Sequence, residues 1–413
     1  MRYALIAAVR RARLVALLTL PALAWSVFVG APGTTMARAA GPSGDFQRAI
    51  LVSWDGVRRD VLFDLLDVSD PTVPCWQNGT VFPVATGQVD GQGSAIYTCL
   101  PGLGGARPAD APEDSPAYAP FQMLASHTTN DGNTMTKPQH ASMLTGLNAE
   151  THGLPTNETK GGLQPGVTIY EIMIDTFDPI SELGERDGHI FRTLHASDRK
   201  YIGNAICRWA KRSDALQVAT SNGNDAGDRL GPVLKAERSF EEWKQDELEL
   251  GLLHTDFFMF LHFKSPDWAG HRSGPASPAY YRSIVQSDRK LYALLDMLRR
   301  YGWEDTAVLV TTDHGFHRDH HGRHAGRNVF NTWLAAYNVN LSVDHIPMRT
   351  PEDYCASHLD PAACLSDGPE EPMPPEDVVR NILVTSVTPT LLDMFGVEWR
   401  TTTPIEGVSL YNP

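Results

Sequence analysis

The stretch Arg48–Gly56, RAILVSWDG, is an apolar run that stops at an Asp–Gly pair. A run that is apolar at both odd and even positions reads as a strand buried on both faces, as in a parallel sheet. ArgArgAspValLeuPheAspLeuLeu, starting at Arg58, follows with helical spacing. The junction therefore places Asp55 at the carboxyl end of a central strand, where open α/β sheets keep their ligands. Two further stretches repeat the pattern: AspPhePheMetPheLeuHisPhe at 256–263 and ThrAlaValLeuValThrThr at 306–312. The first runs into SerProAspTrpAlaGlyHis, the second into Asp313–His314–Gly315.

Between these strands lie helical patterns. Residues 238–248 form a polar amphipathic segment, 279–300 show clear 3.6-residue periodicity up to Tyr301–Gly302, and 389–395 are apolar and stopped by Gly396. ThrIleTyrGluIleMetIle (168–174) and HisIlePheArgThrLeu (189–194) read as short pieces of helix or crossover. Residues 69–130 dissolve into Pro, Gly, Asp and Ser, with ValPheProValAla the one strand-like piece, so they read as a loop insertion shaping a site. The expected fold is α/β: a doubly wound, largely parallel central sheet with helices on both faces, in one domain over 41–413.

Composition narrows the function. The 413-residue chain is 42% hydrophobic with a formal net charge of −14, which argues against duplex nucleic-acid binding. An anionic small molecule is still compatible, because bound cations can dominate a local field. Arg2, Arg10, Arg11 and Arg13 precede an apolar run from Leu14 to Gly30, and AlaArgAlaAla follows at 37–40. That pattern reads as a signal peptide over 1–40, exporting the protein to the periplasm or medium with no stable membrane span after cleavage. An uncleaved anchor is the alternative, since about 18 apolar residues can span a bilayer. Five cysteines suit an oxidising compartment. Pairing of Cys75 with Cys99 and of Cys355 with Cys364 leaves Cys207 as a buried thiol, although sequence does not fix connectivity.

Thr134–Pro155, TMTKPQHASMLTGLNAETHGLP, carries the chemistry. Thr136 stands just before Pro138 and a compact half-apolar run ending at Gly146, so it reads as a threonine at the start of a short buried helix. Free N–H groups and the positive dipole end gather there and suit an anion. A threonine before a helix is commonly a plain N-cap. What favours a nucleophile is the convergence of Asp55, Asp267-x-x-x-His271 and Asp313–His314 at consecutive strand ends. Those hard and borderline donors suit Zn2+, with Mn2+ or Mg2+ possible.

These motifs resemble the alkaline phosphatase superfamily, and most closely its type I phosphodiesterase/nucleotide pyrophosphatase branch. The branch shows a strand-ending Asp–Gly, then Thr-x-Pro-x-His-x-Ser-x-x-Thr-Gly and His–Gly, then Asp-x-x-Gly-His, then Asp–His–Gly. Here these are Asp55–Gly56; Thr136 to Gly146; His152–Gly153; Asp267 to His271; and Asp313 to Gly315. The resemblance spans 48–411 and implies two divalent cations. One would be held by Asp55, Thr136, Asp313 and His314, the other by Asp267, His271 and a distal histidine, His324 or alternatively His321. Two cations about 4 Å apart would acidify the Thr136 hydroxyl and stabilise the departing oxygen, giving a phosphothreonine intermediate. The Lys137 backbone N–H and the Asn157 side-chain amide would bind non-bridging oxygens. Asn157 as a plain turn residue is the rival reading. His140 and His152 read as packing and loop-shaping residues.

The expected function is thus an exported two-metal phosphoric-ester hydrolase of phosphodiesterase type, acting on a small-molecule phosphate ester. Lys137 opens an alternative: its ammonium could meet a second phosphate charge and favour monoesters, or it could point into solvent, as a cation near a helix N-terminus would. A non-catalytic metal- or phosphate-binding module on the same fold is a second alternative. Sulfatase chemistry is disfavoured, because Thr136 and His140 stand where that branch has Cys or Ser and Arg.

Overall fold

The computed structural model describes residues 45–68, 75–77, 80–82, 85–89, 95–109, 111–112, 114–128, 133–177, 189–210, 216–220, 231–250, 254–316, 329–346, 382–400 and 404–411. The expected signal segment, Cys355, Cys364, His317, His320, His321 and His324 lie outside them.

The first half of the chain comprises strand β1 (Arg48–Trp54), helix α1 (Arg59–Leu66), strands β2 (Cys75–Gln77), β3 (Thr80–Phe82), β4 (Ala85–Val89), β5 (Ala95–Thr98) and β6 (Gln122–His127), and helix α2 (Thr136–Thr145). The turn α3 (Ala149–His152), helix α4 (Ile169–Phe177), strand β7 (His189–Ser197), helix α5 (Lys200–Ile206) and strand β8 (Leu216–Thr220) follow. The chain then forms helix α6 (Gly231–Leu250), strand β9 (His254–Phe263), helices α7 (Ser265–Ser273) and α8 (Pro278–Arg300), strands β10 (Ala307–Thr311) and β11 (Asn331–Tyr337), and helix α9 (Val387–Met394).

Seven strands form the main sheet in the order β6-β11-β10-β1-β9-β7-β8. Strand β1 lies between β10 and β9, parallel to both, and β7 is parallel to β9 and β8. Strand β11 runs antiparallel to β10 and to β6, which closes one side. The unbroken apolar run of β1 has the expected cause. Ala49 and Leu51 pack into one core with Ala141, Met143, Tyr170 and Leu391. Ile50, Val52 and Trp54 pack on the other face with Phe240, Ile284 and Leu291. The sheet is thus doubly wound, with α2, α4 and α9 on one side and α6 and α8 on the other. Among the described residues, no helix is long and apolar enough to cross a membrane.

The structure differs from the sequence reading in three places. Residues 189–194 belong to strand β7, not to a helix or crossover, and Ile190 and Leu194 alternate with Phe191 and Thr193 across its two faces. Strands β8 and β11 carried no clear run and were not anticipated. The 69–130 segment holds the ribbons β2–β3 and β4–β5, and its last part, β6, is an edge strand of the main sheet. Cys75 and Cys99 are joined in a disulfide, and Cys207 is free and buried.

The segment after that disulfide is held to α8 by Asp288. This wholly buried carboxylate accepts the N–H groups of Gly102 (2.7 Å) and Leu103 (2.9 Å). A side chain at Gly102 would meet the Asp288 carbonyl oxygen at 2.8 Å, so the close approach needs glycine. Burial pushes the Asp288 carboxyl from its usual 3.8 up to about 7, against the opposing pull of the two N–H donors. The folded protein therefore binds this proton more tightly than the unfolded chain, and this contribution to stability is lost as pH rises from about 4 to about 7. The gain in melting temperature on going from near pH 8 to near pH 5 is expected to be smaller in Asp288→Asn than in the wild type. Equal gains in a thermal melt would show that another group titrates.

Candidate functional site

Four parallel strands deliver polar side chains from their carboxyl ends to one place. Asp55 directly follows β1, Asp313 follows β10, Asp267 stands in the first turn of α7 after β9, and Arg199 follows β7. Asp55 and Asp313 are fully buried and Asp267 is 2% exposed. The turn after β1 depends on Gly56, at φ 71°, where a side chain would strike Phe316 at 2.7 Å and the Asp267 backbone at 3.0 Å. The Gly56 N–H donates to Asp313 Oδ1 (3.0 Å), and the Val57 N–H donates to Thr312 Oγ1 (3.0 Å). The turn therefore locks two strand ends together.

His314 sets the donor geometry. Its Nδ1 lies 2.9 Å from the Gly315 carbonyl oxygen, which can only accept, so Nδ1 carries the proton. In the neutral ring, Nε2 then presents a lone pair. That atom lies 3.3 Å from Thr136 Oγ1, 3.3 Å from Asp313 Oδ2 and 3.6 Å from Asp55 Oδ1. Asp313 Oδ2 and Asp55 Oδ1 are buried and have no hydrogen-bond donor among the described residues. Lone pairs facing one another in a dry site repel unless a cation sits among them. Donor atoms of Asp55, Asp267 and His314 all lie within 4.8 Å of one another. The donor set therefore fits a divalent cation. Burial, followed by the charge of Asp55, raises the Asp313 carboxyl well above its usual range, the mark of a carboxylate lacking a counter-charge.

Thr136 is the first residue of α2 and is 1% exposed. The N-cap is Met135, without a side-chain cap bond, so the Thr136 hydroxyl is not used for capping. His140 steadies this residue one turn on. Its Nδ1 donates to the Thr136 carbonyl oxygen (2.6 Å), which leaves Nε2 to accept from Ser53 Oγ (2.8 Å). Burial and the neighbouring His262 push the His140 imidazole down to about 3, so it stays neutral. His152 bonds Ser142 Oγ and the Pro138 carbonyl through Nε2 and accepts the Leu154 N–H at Nδ1, which ties α2 to the turn after it.

Lys137 takes neither orientation expected for it. Its Nζ donates to the Thr159 carbonyl oxygen at 2.7 Å, and the residue is 5% exposed, so it is neither solvated nor a free charge. Burial lowers its pKa. Its backbone N–H, expected to bind a phosphoryl oxygen, donates instead to Asn157 Oδ1 (2.9 Å). With the amide oxygen fixed in this way, the orientation of the Asn157 NH2 group is set by the first turn of α2.

Asp267 and His271 stand four residues apart on α7, with His271 Nε2 3.3 Å from Asp267 Oδ1. The His271 side chain is 46% exposed, and its bond to Asp267 raises its pKa. His324 and His321, the alternatives for the distal ligand, lie outside the described residues. Two site residues carried no motif in the sequence. His262 on β9 places Nε2 3.2 Å from Asp55 Oδ2, and its ring lies 4.7 Å from that of His140. Arg199 places Nε 2.8 Å from Asp55 Oδ2, and its terminal nitrogen contacts Asp267 Oδ2. Burial works against the Arg199 charge, but Asp55 and Asp267 outweigh it and raise its pKa.

Residues 193–368 match the family model for type I phosphodiesterase / nucleotide pyrophosphatase. The human ectonucleotide pyrophosphatase/phosphodiesterase family member 5 is 27% identical over 197 residues, covering 45% of this chain and 37% of that protein. The human bis(5'-adenosyl)-triphosphatase ENPP4 is 24% identical over 207 residues, covering 47% of this chain and 40% of that one. The match thus spans less than half the length of either relative. Murine ectonucleotide pyrophosphatase / phosphodiesterase 5 superposes with a TM-score of 0.38 at 18% identity, over 65% of this chain and 57% of that one.

If the donors around His314 hold a cation, zinc should raise the melting temperature of chelator-stripped protein, because a ligand bound to the native state alone stabilises it. The stabilisation is expected to be about 3 kcal/mol at free zinc a hundredfold above Kd. It should be lost or strongly reduced in His314→Ala. An equal zinc-induced rise in that variant, read by differential scanning fluorimetry, would place the cation elsewhere.

Proposed function

We infer that this chain, which belongs to the nucleotide pyrophosphatase/phosphodiesterase-like branch of the alkaline phosphatase superfamily, is an exported, two-metal hydrolase of phosphoric diesters or anhydrides with Thr136 as nucleophile. The observation that carries the reading is the Thr136 hydroxyl, buried at a helix start and 3.3 Å from His314 Nε2 among the orphaned oxygens of Asp55 and Asp313. A hydroxyl is a weak nucleophile at its ordinary pKa and needs activation.

Asp55, Asp313, His314 and Thr136 would hold one cation, and Asp267 and His271 would supply ligands to the second. Cations there supply positive charge that favours the deprotonated hydroxyl and stabilises negative charge on the departing oxygen. The protein's own residues do the positioning. His140 fixes the Thr136 backbone through its carbonyl, and the α2 helix start aims its dipole at the phosphoryl group. The Lys137 N–H orients the Asn157 amide, whose NH2 group is the donor we assign to a non-bridging oxygen. Attack of Thr136 Oγ1 on phosphorus would break the bond to one substituent, which leaves with the hydroxyl proton as an alcohol or phosphate. The threonine-bound phosphate keeps the other substituent, and water would hydrolyse the Thr136 ester to release that phosphomonoester and regenerate the hydroxyl.

The diester preference rests on Lys137. Its ammonium is engaged by the Thr159 carbonyl, so it does not offer the extra charge that a monoester dianion would call for. A substituted phosphate also agrees with the relative ENPP4, a bis(5'-adenosyl)-triphosphatase. Export is supported by the Cys75–Cys99 disulfide, since such bonds persist in oxidising compartments.

The test compares bis-(p-nitrophenyl) phosphate with p-nitrophenyl phosphate on zinc-loaded protein. A higher kcat/KM for the diester is expected, and the reverse order would assign the site to monoesters. In Thr136→Ala, diester turnover should fall on the order of a thousandfold or more, as when other covalent nucleophiles are removed. Full turnover with metal retained in that variant would sink the threonine mechanism. Lys137→Met should leave the diester-to-monoester ratio within about threefold of wild type, a change of less than 1 kcal/mol. A larger shift in the ratio would put the ammonium at the phosphate after all.

A further inference from the structure

Arg199 is a permanently charged site residue that neither the motifs nor the proposed chemistry accounts for. Its guanidinium lies between two carboxylates that the proposed function assigns to different cations, with Nε at Asp55 Oδ2 and a terminal nitrogen at Asp267 Oδ2. We propose that Arg199 and the second divalent cation are alternative occupants of the space beside Asp267: the guanidinium fills it until the cation displaces the side chain outward. This inference rests on the two-metal reading above.

The carboxylates give the first reason. Asp55, Asp267 and Asp313 are buried at the strand ends, and buried charges persist only when paired. A guanidinium bridging two of them is one such pairing, and a divalent cation on the same oxygens is a stronger one. The two cannot share those oxygens closely, because a guanidinium and a divalent cation repel across so short a gap.

The anchoring of Arg199 gives the second reason. Its backbone is fixed at both polar groups: the N–H donates to Ser197 Oγ (3.0 Å), and Ser197 Oγ donates to the Arg199 carbonyl (3.1 Å). Exchange therefore needs only side-chain rotation. The side chain is 23% exposed, so it already has a flank open to solvent. The half-exposed ring of Tyr201 lies 5.9 Å from the guanidinium carbon and offers a face on which a displaced cation can rest.

The third reason is asymmetry. The position around His314 is built from Thr136, Asp313 and Oδ1 of Asp55, whereas the guanidinium meets Asp55 through Oδ2. The position on Asp267 and His271 carries it. Loading is therefore sequential. The His314 position fills first, with the guanidinium still on Asp55 Oδ2, and the Asp267 position fills at a higher free-metal concentration, in exchange for the guanidinium.

The test is isothermal titration of zinc into the chelator-stripped full chain, for wild type, Arg199→Met and Arg199→Lys. Arg199→Met is expected to bind the second zinc about 10- to 100-fold more tightly than wild type, the range typical when a neighbour of a metal ligand changes. Its first-site affinity should change less than its second-site affinity. Arg199→Lys, which keeps a mobile cation, should fall between the two. The metal-free melting temperature of Arg199→Met should lie below that of wild type, and zinc should reverse the order. Should the metal-free variant fail to fold, the same affinities are read downward from zinc-loaded protein by competition with a chelator of known affinity. Equal or weaker second-site binding in Arg199→Met, or a single binding step in both proteins, overturns the proposal. If wild type and variant bind two zinc ions equally and still hydrolyse the diester, only the role of Arg199 falls. If neither binds a divalent cation, the two-metal reading fails and this proposal with it.

Discussion

The burial of three carboxylates at the ends of neighbouring parallel strands is the constraint on which the rest of this structure depends. Asp55, Asp267 and Asp313 are carried out of water by the same packing that buries β1, β9 and β10 on both faces. An isolated carboxylate in such a place is strongly disfavoured. The surrounding residues manage that cost in different ways. The Gly56 N–H takes one oxygen of Asp313, His262 and Arg199 approach one oxygen of Asp55, and His271 meets Asp267. What is left, the inner oxygens of Asp55 and Asp313, faces the Thr136 hydroxyl and the lone pair of His314. The chemical reading of the site follows from that residue of unmet charge.

The fold supports this arrangement at one remove. Tyr280, buried on α8, donates to the Gly56 carbonyl and accepts from the Arg58 N–H, so a helix from the far core braces the turn that presents Asp55. On the opposite face, Ser53 of β1 and His140 of α2 join the sheet to the start of the Thr136 helix. The two cores thus meet at the site through single hydrogen bonds. Small packing errors on either side would be felt there directly.

The sequence revealed those parts of the fold whose environment is uniform. Strands β1, β9 and β10 are buried on both faces, so their residues form unbroken apolar runs that can be read without neighbours. Strands β6, β8 and β11 lie toward the sheet margins, where polar and apolar residues mix, and β7 alternates too briefly to be told from a helix. In the site, Asp55, Asp267, Asp313 and His314 were legible because each directly follows one of the clear strands. Arg199 was hidden because the strand that delivers it was not recognised. His262 was hidden because a lone histidine inside an apolar run reads as core. The orientation of Lys137 could not have been found, since it depends on a carbonyl at Thr159, placed by the path of an irregular loop.

The donors around His314 come from Asp55, Thr136 and Asp313, so they are drawn from widely separated parts of the chain. In an unfolded chain Asp55 and Thr136 are far in sequence from Asp313 and His314, and loop-closure entropy opposes their meeting before the sheet exists. During synthesis Asp55 emerges early and waits for β9 and β10 to form the ribbon of strands around it. An ion in the surroundings therefore cannot gather this set of donors before the sheet has formed. It can act only as a late seal, slowing the opening of a structure that has already assembled itself around like charges.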